Sequence, residues 1–259
     1  MRFAKMQGTG NDYIFLDCTK TTPENLPALA VRLSQRHFGI GSDGLICVCP
    51  SQSADFRMKM FNADGSQGEM CGNGIRCLAK FVRDQGLTHR DRLRVETLAG
   101  IKEVTFTDAE GQVSVDMGPP RWGNGLTLRL GQQEWKVRPV SMGNPHAVIF
   151  VEDPASLDLS VLGPGIEHHP AFPHGTNVEF VKVLSRERLS LRVWERGSGE
   201  TLSCGTGACA ALTAAVLAGR TQRKVSAELP GGTLLVSWQG GRIRLTGPAV
   251  TVFEGEIPL

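Results

Sequence analysis

Two short stretches carry residues that could do chemistry: Met70-Cys71-Gly72-Asn73-Gly74-Ile75-Arg76-Cys77 and Ser203-Cys204-Gly205-Thr206-Gly207-Ala208-Cys209. Each sets a cysteine just ahead of a Gly-x-Gly turn, and an apolar helical pattern follows at once. After the first, Ile75, Leu78, Ala79 and Val82 recur at helical spacing, with Gly86 as the stop. After the second, Ala208 to Ala218 is apolar nearly all round and Gly219 is the stop, so this helix should be surrounded by protein. A thiol at a helix N-terminus meets free backbone N–H groups and the positive end of the helix dipole, which lower its pKa. The glycines let the backbone approach a bound carboxylate closely. The chemistry this suits is proton transfer by sulfur beside an anion-binding turn.

The two stretches belong to a repeat. A shift of 133 residues carries Cys71, Gly72 and Gly74 onto Cys204, Gly205 and Gly207. The same shift carries Gly10-Asn11 onto Gly143-Asn144, Phe61-Asn62 onto Trp194-Glu195, and Gly44 onto Asn177. One shift serving separated segments implies two copies of one supersecondary plan. Two such halves meeting about a pseudo-two-fold axis would point one helix-end cysteine at the other across a cleft.

The elements that must position these thiols are legible as runs. In the first copy Met1 to Met6 is strand-like, and a strand covers Asp12–Asp17 after the turn Gly8-Thr9-Gly10-Asn11. Helical periodicity runs from Asn25 to His37, followed by strands at Leu45–Cys49 and Phe56–Met60. Beyond the Cys71 helix, 92–98, 101–107 and 112–117 read as a meander with turns at Ala99-Gly100 and Asp108-Ala109-Glu110-Gly111. Gly118-Pro119-Pro120 marks a boundary. The second copy shows strands at 126–130, 134–140 and 147–151, and then a loop-rich segment through Gly163-Pro164-Gly165. Strands at 178–183 and 189–195 precede the Cys204 helix, and a second meander covers 225–229, 233–238 and 242–246. A last strand, 249–257, has no counterpart in the second copy and should cross back onto the first. The expected domains are therefore 1–117 with 249–259, and 118–248. The fold class is α/β (α+β), each half a mostly antiparallel, barrel-like sheet wrapped around its central helix.

With 259 residues, 41% of them hydrophobic, the chain can build two real cores. Net charge is +2 with Lys and Arg dispersed, which argues against nucleic acid as a partner. No apolar run reaches the roughly 20 residues of a membrane span, and the N-terminal residues carry no signal-peptide core. Seven cysteines, an odd number without export signals, read as reduced thiols in the cytoplasm. Their spacings match no usual zinc pattern, so no metal is expected. Cys18, Cys47, Cys49, Cys77 and Cys209 read as small buried core residues.

Taking the proton from a carbon between an ammonium and a carboxylate is hard, and many enzymes use pyridoxal phosphate for it. No convincing motif for that cofactor stands out, so none is expected. The alternative is a dry site with a thiolate base and a thiol acid on opposite faces of the carbon, helix-end N–H groups holding the carboxylate as charge builds. A duplicated Cys-Gly-x-Gly suits inversion of such a centre.

The residues Met70 to Cys77, Gly10-Asn11-Asp12, Phe61-Asn62-Ala63-Asp64-Gly65, Gly143-Asn144-Pro145-His146, Glu195-Arg196-Gly197 and Ser203 to Gly207 together resemble the diaminopimelate epimerase family. The resemblance runs from Met6 to the last strand. It implies interconversion of LL- and meso-diaminopimelate without cofactor or metal, on the route to lysine and peptidoglycan, by a homodimer. It implies Cys71 and Cys204 as the acid/base pair, Cys204 accepting and Cys71 donating in the LL-to-meso direction, with His146 and Glu195 assisting. It implies that Gly72-Asn73 and Gly205-Thr206 bind the reacting carboxylate. Asn11, Asn62, Asn144, Asn177, Glu195 and Arg196 then hold the rest of the substrate, Arg196 suiting a carboxylate and Glu195 an ammonium. The chain departs from the family twice. Gly44 stands where some members place a substrate-contacting Gln, and Phe253 where some have a Tyr implicated in the dimer.

Other readings weigh against this one. His146 alone fits a structural histidine, the four asparagines lie at turns where Asn is ordinary, and Glu195-Arg196 fits a surface pair. A proline or hydroxyproline racemase would share facing cysteines but need no site for a distal amino-acid group. A thiol hydrolase using Cys71 with His146 would need one cysteine only. The two-thiol geometry also implies that mild oxidation inactivates the protein by joining Cys71 to Cys204, which thiol titration before and after oxidant checks. An unchanged thiol count with full activity would refute it.

Overall fold

The computed structural model describes residues 1–107 and 111–258; of the expected turn at 108–111 only Gly111 lies among them. In chain order the first copy comprises β1 (Arg2–Gly8), β2 (Asn11–Asp17), α1 (Leu26–Ser34), β3 (Gly44–Cys49), β4 (Phe56–Asn62) and β5 (Gln67–Gly68). Then follow α2 (Gly72–Asp84), β6 (Arg92–Thr97), β7 (Gly100–Phe106) and β8 (Gln112–Gly118). The second comprises β9 (Arg121–Trp122), β10 (Leu126–Leu130), β11 (Gln133–Ser141), β12 (Pro145–Phe150), α3 (Leu159–Glu167) and β13 (Asn177–Ser185). It continues with β14 (Arg188–Glu195), β15 (Gly199–Thr201), α4 (Gly205–Leu217), β16 (Lys224–Leu229), β17 (Gly232–Gln239) and β18 (Arg242–Pro248), and β19 (Val250–Glu256) is last. The chain divides into two units, Met1–Asp116 with Thr246–Leu259, and Met117–Leu245. The last strand does return to the first unit, where β19 pairs antiparallel with β1.

Within the first unit β1 pairs antiparallel with β2, β2 parallel with β3, β3 antiparallel with β4, and β4 parallel with β6. Within the second, β12 pairs parallel with β13, β13 antiparallel with β14, and β14 parallel with β16. The registers obey the repeat. Tyr13 faces Gly44 as His146 faces Asn177, and Leu45 faces Phe61 as Val178 faces Trp194. Helices α2 and α4 start and stop at positions 133 apart. Past them the offset drops by one: Phe56 pairs with Val95, but Leu189 with Ala227. The copies differ by one residue in the loop leaving the helix.

The centre of the first sheet is covered on both faces, while outer strands such as β6 and β17 alternate buried and exposed positions. Strand β3 is buried at every position, as a strand between two helical layers must be. By the two-residue period of a strand, Leu45 and Cys47 point with Ile14 and Leu16 to the layer of α1, packing on Leu26, Leu29 and Leu33. Their neighbours Tyr13, Phe15 and Ile46 point the other way, to α2, where Phe15 packs on Phe81 with ring centres 5.7 Å apart. In the second unit Ala147, Ile149, Val178 and Phe180 pack on Leu159 and Ile166 of α3. His146, Asn177 and Glu179 therefore occupy the α4 face. Helix α2 packs against β1, β2, β3, β7 and β19, and α4 against β11, β12, β13, β14, β16 and β17. With Ala208 to Ala215 wholly buried, α4 is the protein-surrounded helix its composition requires.

Two segments differ from the sequence reading. The segment through Gly163-Pro164-Gly165 is not a loop but lies inside α3. Asp158 caps that helix by accepting from Ser160 N at 3.0 Å, and Gly163 is needed because a Cβ there would lie 2.2 Å from the Trp194 ring. Close packing on an aromatic face overrides the breaker signal. Helix α1 stops at Ser34, short of His37, because Gln35 turns to extended backbone.

Candidate active site

Both cysteines occupy the N-cap of their helix, with nearly the same backbone: φ −123° and ψ 122° at Cys71, φ −121° and ψ 111° at Cys204. Each sulfur accepts the N–H of the second glycine, Gly74 at 3.3 Å and Gly207 at 3.4 Å. A capping acceptor normally satisfies one orphan donor of the first turn; here sulfur takes that place. The second glycine is closely packed by a side-chain tip from the neighbouring strand. A Cβ at 74 would lie 2.6 Å from Ile46 Cδ1, and one at 207 would lie 2.9 Å from Glu179 Oε1.

Cys71 is partly exposed and donates to Asn11 Oδ1 at 3.2 Å. Asn73 Nδ2 also reaches Asn11 Oδ1, at 3.4 Å. Asn11 is held from behind, its amide donating to Asp43 at 2.7 Å, and Asp43 is anchored in turn by Arg36 at 3.0 Å. Burial, a hydrogen-bonding contact with Cys71 and the nearby Asp43 push the Tyr13 phenol well up, keeping it neutral. Asn62 bonds Ser66 at 2.9 Å rather than joining this group.

Cys204 is buried and sits in a more charged environment. Burial, then the carboxylates of Glu195 and Glu179, push its thiol well up, while Thr206 and Gly207 N–H pull the other way. At neutral pH it rests as the thiol, the helix end notwithstanding. Glu195 is itself raised by burial; it accepts from Thr201 at 2.6 Å and from Cys204. Thr206 Oγ1 lies 3.5 Å from the sulfur and accepts from Asn144 at 3.2 Å. Asn144 Oδ1 lies 3.0 Å from His146 Nε2, and His146 Nδ1 lies 2.6 Å from Glu179 Oε1, both side chains fully buried. Asn177 ties Pro145 O to the backbone N–H of Arg196, at 3.1 and 2.9 Å. Arg196 is exposed and donates to His174 O at 3.1 Å.

The first unit thus joins Asn11, Cys71 and Asn73, and the second joins Asn144, His146, Glu195, Cys204 and Thr206. Gly72 and Gly205 are the buried first residues of their helices. Four neighbours escaped the sequence reading: Tyr13, Asp43, Glu179 and Thr201. A signal for two existed, since the same shift of 133 carries Tyr13 onto His146 and Ile46 onto Glu179. The five remaining cysteines are buried. Cys18, by hydrogen bonding with Cys47 and by burial, and Cys77, by burial, are both pushed up to about 12, so neither forms a thiolate near neutrality. Among the described residues no group of three or more His, Cys, Asp or Glu is placed to hold a metal ion. None of their helices is long and apolar enough to cross a membrane.

Comparison with known proteins adds the family. The family model for diaminopimelate epimerase matches residues 3–123 and 139–252. Diaminopimelate epimerase of Acetivibrio thermocellus is 50% identical over 277 aligned positions, spanning 100% of this chain and 99% of that protein. The diaminopimelate epimerase of Methanococcus maripaludis is 47% identical, with 100% of both chains covered. Among solved structures, a phenazine biosynthesis protein of the PhzF family from Bacillus anthracis shares the fold at TM-score 0.78 and 16% identity, covering 100% of this chain and 99% of its own. A probable proline racemase from Agrobacterium radiobacter does so at TM-score 0.74 and 15% identity, covering 100% and 93%.

Proposed function

As this chain belongs to the diaminopimelate epimerase family, we propose that it interconverts LL- and meso-diaminopimelate by passing protons between two thiols. The carrying observation is the matched pair of N-cap cysteines, alike in backbone angles and in the N–H each sulfur accepts. Inversion needs two equivalent groups, one for each face of the carbon, and duplication is the direct way to make them. In the LL-to-meso direction Cys204 Sγ takes the α-proton and Cys71 Sγ returns one to the other face. In reverse, the resting Cys204 thiol is already charged with the proton it must give.

The backbone N–H groups of Gly72-Asn73 and Gly205-Thr206 receive the reacting carboxylate, where negative charge grows as the α-carbon loses its proton. Arg196, exposed and tethered through one N–H, suits the distal carboxylate, and Glu195 an ammonium. Asn11, Asn62, Asn144 and Asn177 supply amides to the remainder. The reaction belongs to lysine and peptidoglycan precursor synthesis, which fits a cytoplasmic protein with reduced cysteines. In the family's homodimer Phe253 would stand for a tyrosine; here it packs edge-on against Phe3 at 5.8 Å, beside exposed Val250 and Val252.

The test is isotopic. Incubating LL-diaminopimelate with the protein in heavy water should place deuterium at one α-carbon as meso isomer accumulates, read by mass spectrometry and NMR. Meso product without solvent label, or dependence on added pyridoxal phosphate, would count against the proposal.

A further inference from the structure

The two halves are unequal behind their cysteines. At repeat-equivalent positions on the helix-facing side of the sheet, the first unit carries Tyr13 and Ile46, and the second carries His146 and Glu179. Ile46 and Glu179 make the same contact, against the second glycine of each motif. An apolar side chain would therefore serve packing there, and a carboxylate with one oxygen lacking a partner among the described residues is a costly replacement. Glu179 is wholly buried, and its one hydrogen-bonding contact among the described residues is His146 Nδ1 at 2.6 Å, a charge-assisted length.

The hydrogen bonds onward have a direction. Asn144 Nδ2 donates to Thr206 Oγ1, so Asn144 Oδ1 is the atom facing His146 Nε2. The ring is thus held at both nitrogens, and since Asn144 Oδ1 can only accept, Nε2 carries the proton of that bond while Nδ1 meets the Glu179 carboxyl. Thr206, having accepted from Asn144, has its hydroxyl proton left for Cys204 Sγ, whose own proton goes to Glu195. We propose that Glu179 is a positioning residue: its bond to Nδ1 fixes the His146 ring with Nε2 on Asn144, so that the bonds through Asn144 and Thr206 all run toward Cys204 Sγ. The titratable groups that act on the ring are Glu179 from β13 and Glu195 from β14. The arrangement gives the Cys204 sulfur a donor aimed at the charge it acquires as a base. Its importance for turnover rests on the two-thiol proposal; the placement of the His146 ring does not.

The ring protons are directly observable. In protein labelled with nitrogen-15 at its six histidines, the His146 signals are assigned by their loss in His146→Asn. At pH 7.5 wild-type His146 should carry on Nε2 the proton it donates to Asn144. In Glu179→Leu, which removes the bond to Nδ1 and leaves a side chain like Ile46 of the first copy, that Nε2 proton signal should be lost to exchange with water. The kcat of Glu179→Leu should fall by roughly 10- to 100-fold with KM little changed, and Glu179→Gln, which can still bond Nδ1, should recover part of the loss. A wild-type ring without a proton on Nε2 overturns the proposal and requires no variant to fold. So does an Nε2 proton as protected in Glu179→Leu as in wild type, or a kcat equal to wild type. If neither protein turns over diaminopimelate, the two-thiol reading fails, and the ring signals still decide the role of Glu179.

Discussion

Serine at position 71 should abolish interconversion yet leave one half of the exchange chemistry intact. Serine still caps a helix, so α2 keeps its first turn, but its hydroxyl is far too weak an acid to shuttle protons at neutral pH. Removing one positioned acid/base group costs on the order of 10^2- to 10^4-fold, and with no equivalent group left on that face the upper end is expected. What remains in Cys71→Ser is Cys204, which meets the LL centre. That variant should wash the α-hydrogen of LL-diaminopimelate into solvent while forming no meso isomer. Cys204→Ser should do the opposite, exchanging meso and leaving LL untouched. Incubation of each pure isomer in heavy water reads the outcome. Exchange of the same isomer by both variants, or a normal rate in either, would remove the assignment of one thiol to each face.

Restoring glutamine at position 44 should wreck the protein rather than improve its site. A Cβ at Gly44 would lie 2.1 Å from Phe61 O and 3.0 Å from Tyr13 Cε1, and the first of these neighbours is backbone in the adjoining strand. Gly44 opens β3, where it pairs with Asn62 at the end of β4. Relief would require β3 and β4 to part, so Gly44→Gln and Gly44→Ala should each cost about 3 kcal/mol or more, a large share of the roughly 5–15 kcal/mol that holds a domain. Pairing the change with Tyr13→Phe should not rescue it, because the carbonyl remains. Urea denaturation followed by circular dichroism measures the loss; a midpoint equal to wild type would refute the clash. The glycine is thus a packing requirement of this chain, and Tyr13 fills the space beside it.

The comparison of copies shows why some features are legible in a sequence and others are not. A Cys-Gly-x-Gly ahead of an apolar run is a local signal, and both helix caps form where it stands. The register of strands is non-local, yet the constant shift carried it because both copies had to satisfy one pairing pattern. Helix α3 was illegible because its glycine and proline were weighed locally, while the Trp194 ring that demands Gly163 comes from β14. Glu179 was hidden for a related reason. In an apolar strand a single acid reads as a solvent-facing residue, and only the two-residue period, counted from the α3 contacts, turns it inward.

The pairing of β19 with β1 has a consequence for how the chain is made. Synthesis runs from the N-terminus, and the whole of the second unit leaves the ribosome before residues 250–256 do. The second unit, continuous in sequence, has all its strands in hand at that point. Strand β1 meanwhile waits with one rim bare, open to pairing with a neighbouring nascent chain. A strand made only after the whole second unit is the one that seals β1.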